Sequence, residues 1–156
     1  MNMKTIKGDL LALAEQGEFD LVLHGCNCYN IMGGGIAAQI AQRWPDARLA
    51  DDETVKGDPG KLGSYTLALH GDLKILNCYT QYSISRDGQD VFEYAAFERV
   101  LSKIALRWGC ARIGLPLIGM GLAGGDAGRI MPLIEGFASL VERRGGTVTL
   151  VEWARK

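Results

Sequence analysis

Two clusters of glycine carry the first hint of chemistry. Gly33-Gly34-Gly35 follows an apolar stretch and precedes a helix-forming one; Gly119-x-Gly121 with Gly124-Gly125 follows a second apolar stretch. Glycine lets backbone approach a ligand closely, and a helix start offers unpaired N–H groups at the positive end of its dipole. Both clusters suit an anion such as a phosphate, although either alone reads equally well as a tight turn. The triple glycine lacks the Lys-Ser/Thr of a P-loop, which speaks against magnesium-dependent nucleotide hydrolysis, and it lacks the G-x-G-x-x-G spacing of a dinucleotide site. With 17 Lys+Arg against 18 Asp+Glu and a net charge of -1, the chain shows no basic patch for nucleic acid and no attraction to an anionic membrane. An anion must be held locally, by amides or a few side chains.

Side chains near the clusters add to this. His24 is a neutral imidazole near pH 7, able to act as a general acid or base or to position water; at the end of an apolar strand it reads as well as a hydrogen-bonded core histidine. Asn27 offers both a donor and an acceptor to hydroxyl groups, or serves a turn. Asp9 stands where it caps a helix, and a carboxylate has a second oxygen to spare. Tyr79, Gln81 and Tyr82 follow a strand at the same edge, either lining a site or facing solvent. Trp153 follows the last strand, to stack on a ligand or to cap the core. Trp44 and Trp108 read as core. The cysteines Cys26, Cys28, Cys78 and Cys110 do not have zinc-knuckle spacing, and are expected to be reduced thiols in a cytoplasmic protein with no metal.

These residues need a frame. A chain of 156 residues, 47% of them hydrophobic, suits one domain over 1–156 with an ordinary core. The patterning predicts strands at Met3–Lys7, Asp20–Cys26, Lys61–Leu69, Leu73–Tyr79, Arg112–Pro116 and Thr147–Trp153. Helices are expected after Asp9, over Gly35–Trp44, Asp46–Lys56, Val91–Trp108 and Ala127–Arg144. The His70-Gly71-Asp72 turn marks a hairpin. Strands alternating with helices imply an α/β fold, a mixed sheet of about six strands covered on both faces. In such sheets ligands sit at the carboxyl ends of the strands, and both glycine clusters fall on that edge. The start, Met1-Asn2-Met3-Lys4-Thr5, has no apolar region of a secretory signal, and no apolar run approaches a bilayer span.

The pair of loops resembles the ligand loops of macrodomains, the three-layer α/β/α modules that bind ADP-ribose. Lys7-Gly8-Asp9-Leu10 is similar to the family's Gly-Asp-Ile/Leu motif, whose Asp accepts from the adenine amine. Asn27 is similar to the asparagine facing the distal ribose. Gly33, Gly34, Gly35 and Ile36 match the amides around the diphosphate, and Ile118, Gly119, Met120, Gly121 and Leu122 match the second phosphate loop. Leu10, Cys26 and Trp153 complete the ligand set that the resemblance implies. His24-Gly25-Cys26-Asn27-Cys28 followed by Met32-Gly-Gly-Gly-Ile-Ala is most similar to the ADP-ribose-1''-phosphate phosphatase branch, which implies catalytic roles for His24 and Asn27. A sister branch of glycohydrolases uses a lysine and an aspartate where this chain has Gln81 and Ala123; Asp126 lies three residues further on. The implied activity is hydrolysis of an ADP-ribose derivative without a cofactor, the alternative being a reader that binds without turnover. The implied partners are ADP-ribose or a derivative, free or on a modified protein or nucleic acid.

Overall fold

The computed structural model describes residues 3–84, 90–120 and 123–154. In chain order these form β1 (Lys4–Gly8), α1 (Leu10–Glu15), β2 (Leu21–Asn27), α2 (Gly35–Arg43), α3 (Pro45–Asp52), a 3-10 turn (Pro59–Lys61), β3 (Tyr65–His70), β4 (Leu73–Gln81), α4 (Tyr94–Trp108), β5 (Arg112–Leu115), α5 (Ala127–Arg143) and β6 (Thr147–Trp153). One sheet holds the strands in the order β1-β6-β5-β2-β4-β3. Only β3 and β4 run antiparallel; the other neighbours are parallel.

Sheet burial on two faces explains the apolar runs. Successive side chains of a strand point to opposite faces, so Leu21 and Leu23 enter one layer and Val22 the other. The first layer packs Leu21, Leu23, Ile113, Leu115 and Leu150 against α4 and α5 through Val100, Ile104, Ile130, Ile134 and Phe137. The second packs Val22, Ile75 and Val151 against α1, α2 and α3 through Leu11, Ile40, Trp44 and Ala47. The mixed six-stranded α/β/α architecture expected from the patterning is the one observed.

Local differences have physical causes. Helix α3 stops at Asp52 instead of reaching Lys56, because the Thr54 backbone N–H and hydroxyl both donate to the Asp51 carbonyl, at 3.0 and 2.6 Å. Lys61 does not begin a strand. Asp58 accepts from the Gly60 N–H at 2.8 Å and closes the 3-10 turn, and Gly63 at φ +81° redirects the chain into β3. Helix α4 begins at Tyr94 rather than Val91, since Phe92 bridges to Gln81 and the Glu93 N–H donates to the Thr80 carbonyl at 2.7 Å.

His24 must be reassigned. It shares the face of Val22, is 0% exposed, and lies with Nε2 2.7 Å from Asn77 Oδ1. The Asn77 amide nitrogen donates to the Ala47 carbonyl and to Thr66 Oγ1. That turns its oxygen toward the ring, so His24 Nε2 carries the proton. Burial pushes the imidazole pKa down to about 4, against the opposing pull of the Asn77 bond. The residue is a neutral core histidine, not a group within reach of the sheet edge.

Two outcomes are expected from this packing. A Cβ at Gly114 would stand 2.6 Å from the Phe19 ring, so Gly114→Ala should cost about 1–3 kcal/mol by overpacking, read as a lower urea midpoint at unchanged slope. The folded pKa of His24 lies below its unfolded value near 6.5, so the unfolded chain binds the extra proton between them. The stability contributed by neutral His24 is full above about pH 6.5 and is lost as pH falls toward 4. Over that window the wild type should lose more stability than His24→Gln, by roughly a few kcal/mol; equal pH slopes would refute the assignment.

Candidate ligand cleft

The carboxyl ends of β1, β2, β4, β5 and β6 open onto a cleft of about 710 Å³, within the usual range for small-molecule sites. At one end stand Gly8, Asp9, Leu10, Leu11, Val151 and Trp153; in the middle Gly33, Gly34, Gly35, Ile36 and Ala37 face Pro116, Leu117, Ile118 and Gly119; at the other end are Asn27, Ile31, Gln81, Ile84 and Ala123, with Gly25, Cys26 and Gln39 completing the wall.

Each loop is positioned by its own hydrogen bonds. Asn27 ends β2 and clamps the turn beyond it: its Oδ1 accepts from the Tyr29 N–H and its Nδ2 donates to the Ile31 carbonyl, both at 2.9 Å. This uses one of two amide N–H bonds of Nδ2. Gly34 precedes α2 with no side chain to cap it, and α2 has no acid in its first turn, so its leading N–H groups are left for a ligand. Gly35 takes φ +56° and Gly119 φ +78°, a region that disfavours other residues. The second loop closes through the Gly125 N–H to the Gly119 carbonyl at 2.7 Å. Gly25 lets β2 pack closely on β4 and on the second loop: a Cβ there would lie 2.8 Å from Thr80 Oγ1 and 3.1 Å from Ile118.

The charge in the cleft is sparse. Asp9 caps α1 through Oδ1, accepting from the Leu11 and Ala12 N–H groups, which leaves its other oxygen uninvolved in the cap. Trp153 is 60% exposed beside Gly8 in the β1–β6 register. Cys26 lies beside His24, but its sulfur is 3.8 Å from Nδ1 and 3.6 Å from Nε2. Burial pushes the thiol pKa up and the imidazole pKa down, so the pair rests as a neutral thiol beside a neutral imidazole and not as a thiolate–imidazolium pair. Among the described residues no cluster of His, Cys, Asp or Glu could hold a metal ion, and no helix is long and apolar enough to cross a membrane.

Of the ligand residues expected from sequence, the structure brings Asp9, Leu10, Cys26, Asn27, Gly33, Gly34, Gly35, Ile36, Ile118, Gly119 and Trp153 to the cleft. Met120 packs on the α4–α5 core instead, because Gly119 turns the chain there. Gly121 and Leu122 lie outside the described residues. Gln81 and Ala123 reach the wall; Asp126 does not, since its carboxylate caps α5 at Gly128. Tyr79 is buried with its hydroxyl donating to Asp51 at 2.7 Å, and Tyr82 donates to the Gly57 carbonyl at 2.9 Å, so neither lines the cleft. Gly119-x-Gly121-x-x-Gly124 does have dinucleotide spacing, which the triple glycine lacks. However, Gly124 sits at φ +70° ahead of α5 rather than in its first turn, and so cannot act as that motif's third glycine. Val151 joins the wall without having been expected there, although it precedes Trp153 by two residues and shares its face.

No protein-family model matches the chain. It is 31% identical over 160 residues to the uncharacterized 17.5 kDa protein of the tk-vs intergenic region of Enterobacteria phage T4, covering 98% of this chain and 97% of that one. Among solved structures, a Bacteroides thetaiotaomicron protein of unknown function superposes with a TM-score of 0.79 at 23% identity, covering 97% and 98% of the two chains. A Streptomyces coelicolor macrodomain protein superposes at 0.72 with 24% identity, covering 99% and 100%. Thermosipho africanus DarTG, solved in complex with ADP-ribose, superposes at 0.72 with 16% identity over 97% of this chain and 42% of its own. The chain belongs to the family of the phage T4 protein, and its fold is that of the macrodomains.

Proposed function

We propose that this chain is a binding module for ADP-ribose, free or attached to another molecule. The carrying observation is the cleft: the first glycine loop, with the leading amides of α2 unpaired, faces the second glycine loop across it, with a carboxylate and an indole at one end and two carboxamides at the other. A diphosphate fits between the loops, held by neutral N–H groups and the dipole of α2. The adenine amine goes to Asp9 with Trp153 alongside, and the far ribose to Asn27 and Gln81. The ADP-ribose complex of the DarTG neighbour supports this reading.

Little on the cleft wall drives turnover. Its ionisable side chains among the described residues are Asp9, at the adenine end, and Cys26, a protonated thiol. A second reading is hydrolysis of ADP-ribose-1''-phosphate or an ADP-ribosyl ester. It is favoured by the remaining N–H of Asn27, which can hold a water at the far ribose and contribute by positioning.

Calorimetric titration with ADP-ribose should give saturable binding whose affinity changes little with salt, since neutral amides and not a charged surface hold the anion. Absence of binding overturns the proposal. Phosphate release from ADP-ribose-1''-phosphate should match the enzyme-free rate; release that disappears in Asn27→Ala would replace the first reading with the second.

A further inference from the structure

A buried lysine lies directly behind the first glycine loop. Lys61 is 7% exposed, and its ammonium donates to Asn30 Oδ1 at 2.7 Å and to Thr54 Oγ1 at 2.8 Å, with the Tyr79 ring 5.2 Å away. Among the described residues no carboxylate stands within ion-pairing distance of it. Burying an ammonium is expensive without hydrogen-bond partners, and both partners found here bear on one turn. Asn30 is the one non-glycine residue with positive φ among the described residues, at +59°. Its Nδ2 donates to the Thr54 carbonyl at 3.1 Å, so its carboxamide is bound on both sides.

That turn controls the cleft. Asn30 directly precedes Ile31, whose carbonyl receives the Asn27 Nδ2 bond, and Ile31 leads through Met32 to the glycines of the cleft wall. Releasing Asn30 lets the strained residue return to an ordinary conformation, which moves the Ile31 carbonyl and frees the Asn27 side chain. We propose that Lys61 is a positioning residue: acting through Asn30, it holds the first cleft loop in the shape that sets Asn27 for the far ribose and the glycine amides for the diphosphate. The inference builds on the ADP-ribose reading and adds to it which group outside the cleft sets its affinity and its preference for the far ribose.

The test compares ADP-ribose with ADP, which lacks the far ribose, by calorimetry on the wild type, Lys61→Met and Asn30→Gly. Glycine has no carboxamide and populates either sign of φ, so Asn30→Gly cuts the tie and leaves the turn free to depart from its positive-φ conformation without a steric clash of its own. Both variants should bind ADP-ribose about tenfold or more weakly, the scale of one hydrogen bond to a charged group, and should lose distinctly less affinity for ADP. The double variant should be no weaker than the poorer single one, because both substitutions cut the same link. Wild-type affinity in either variant, equal losses for both ligands, or additive losses would overturn the proposal. If Lys61→Met does not fold, Asn30→Gly alone decides it. Failure of wild type to bind ADP-ribose is a different result, and removes the functional reading itself.

Discussion

Backbone N–H groups serve an anion only if nothing inside the protein has already satisfied them and no side chain covers them. Everything about the first cleft loop answers to that constraint. The glycines keep the amides bare, Gly34 supplies no cap, and α2 offers no acid at its start. Such a loop cannot stabilise itself through the groups it must leave free, so its order comes from elsewhere. Asn27 ties it from the side, Asn30 from behind, and the Gly57 N–H donates to the Cys28 carbonyl at 2.6 Å. The cleft face is sparse in polar side chains, whereas the layer beneath it is dense with them.

That dense layer lies between the sheet and α3. His24, Asn77, Thr66, Tyr79 and Asp51 form a continuous run of hydrogen bonds, and Asp51 is linked on through its carbonyl to Thr54. Burial raises the Asp51 pKa, although the Tyr79 hydroxyl and the Lys61 charge oppose the shift. Interiors of low dielectric make such a chain rigid when every member is paired and weak when one is not. The opposite layer, under α4 and α5, is almost wholly apolar. The sheet thus separates a packing core from a hydrogen-bonded one, and the ligand loop is mounted over the latter.

The parts legible in the sequence are those governed by period and by glycine. β2 and β4 show apolar runs because both their faces are covered, and Gly33-Gly34-Gly35 stands out because bare amides favour residues without Cβ. His24 is ambiguous in sequence, since an imidazole at a strand end can face either the edge or the core, and strand parity with Val22 sends it inward. Lys61 is illegible there: a buried ammonium next to Leu62 resembles the start of a strand, and its partners Asn30 and Thr54 come from distant turns. Asp126 misleads because distance along the chain says nothing about which way a capping carboxylate points.

The three tryptophans occupy three different environments. Trp44 is enclosed, Trp108 packs against the α4–α5 core beneath the Arg107 guanidinium, and Trp153 stands largely in water at the mouth of the cleft. Because indole emission shifts with hydration, the long-wavelength part of the fluorescence of the chain belongs chiefly to Trp153. The molecule therefore carries an intrinsic optical reporter at the entrance to its own site, sensitive to whatever flat ring comes to rest there.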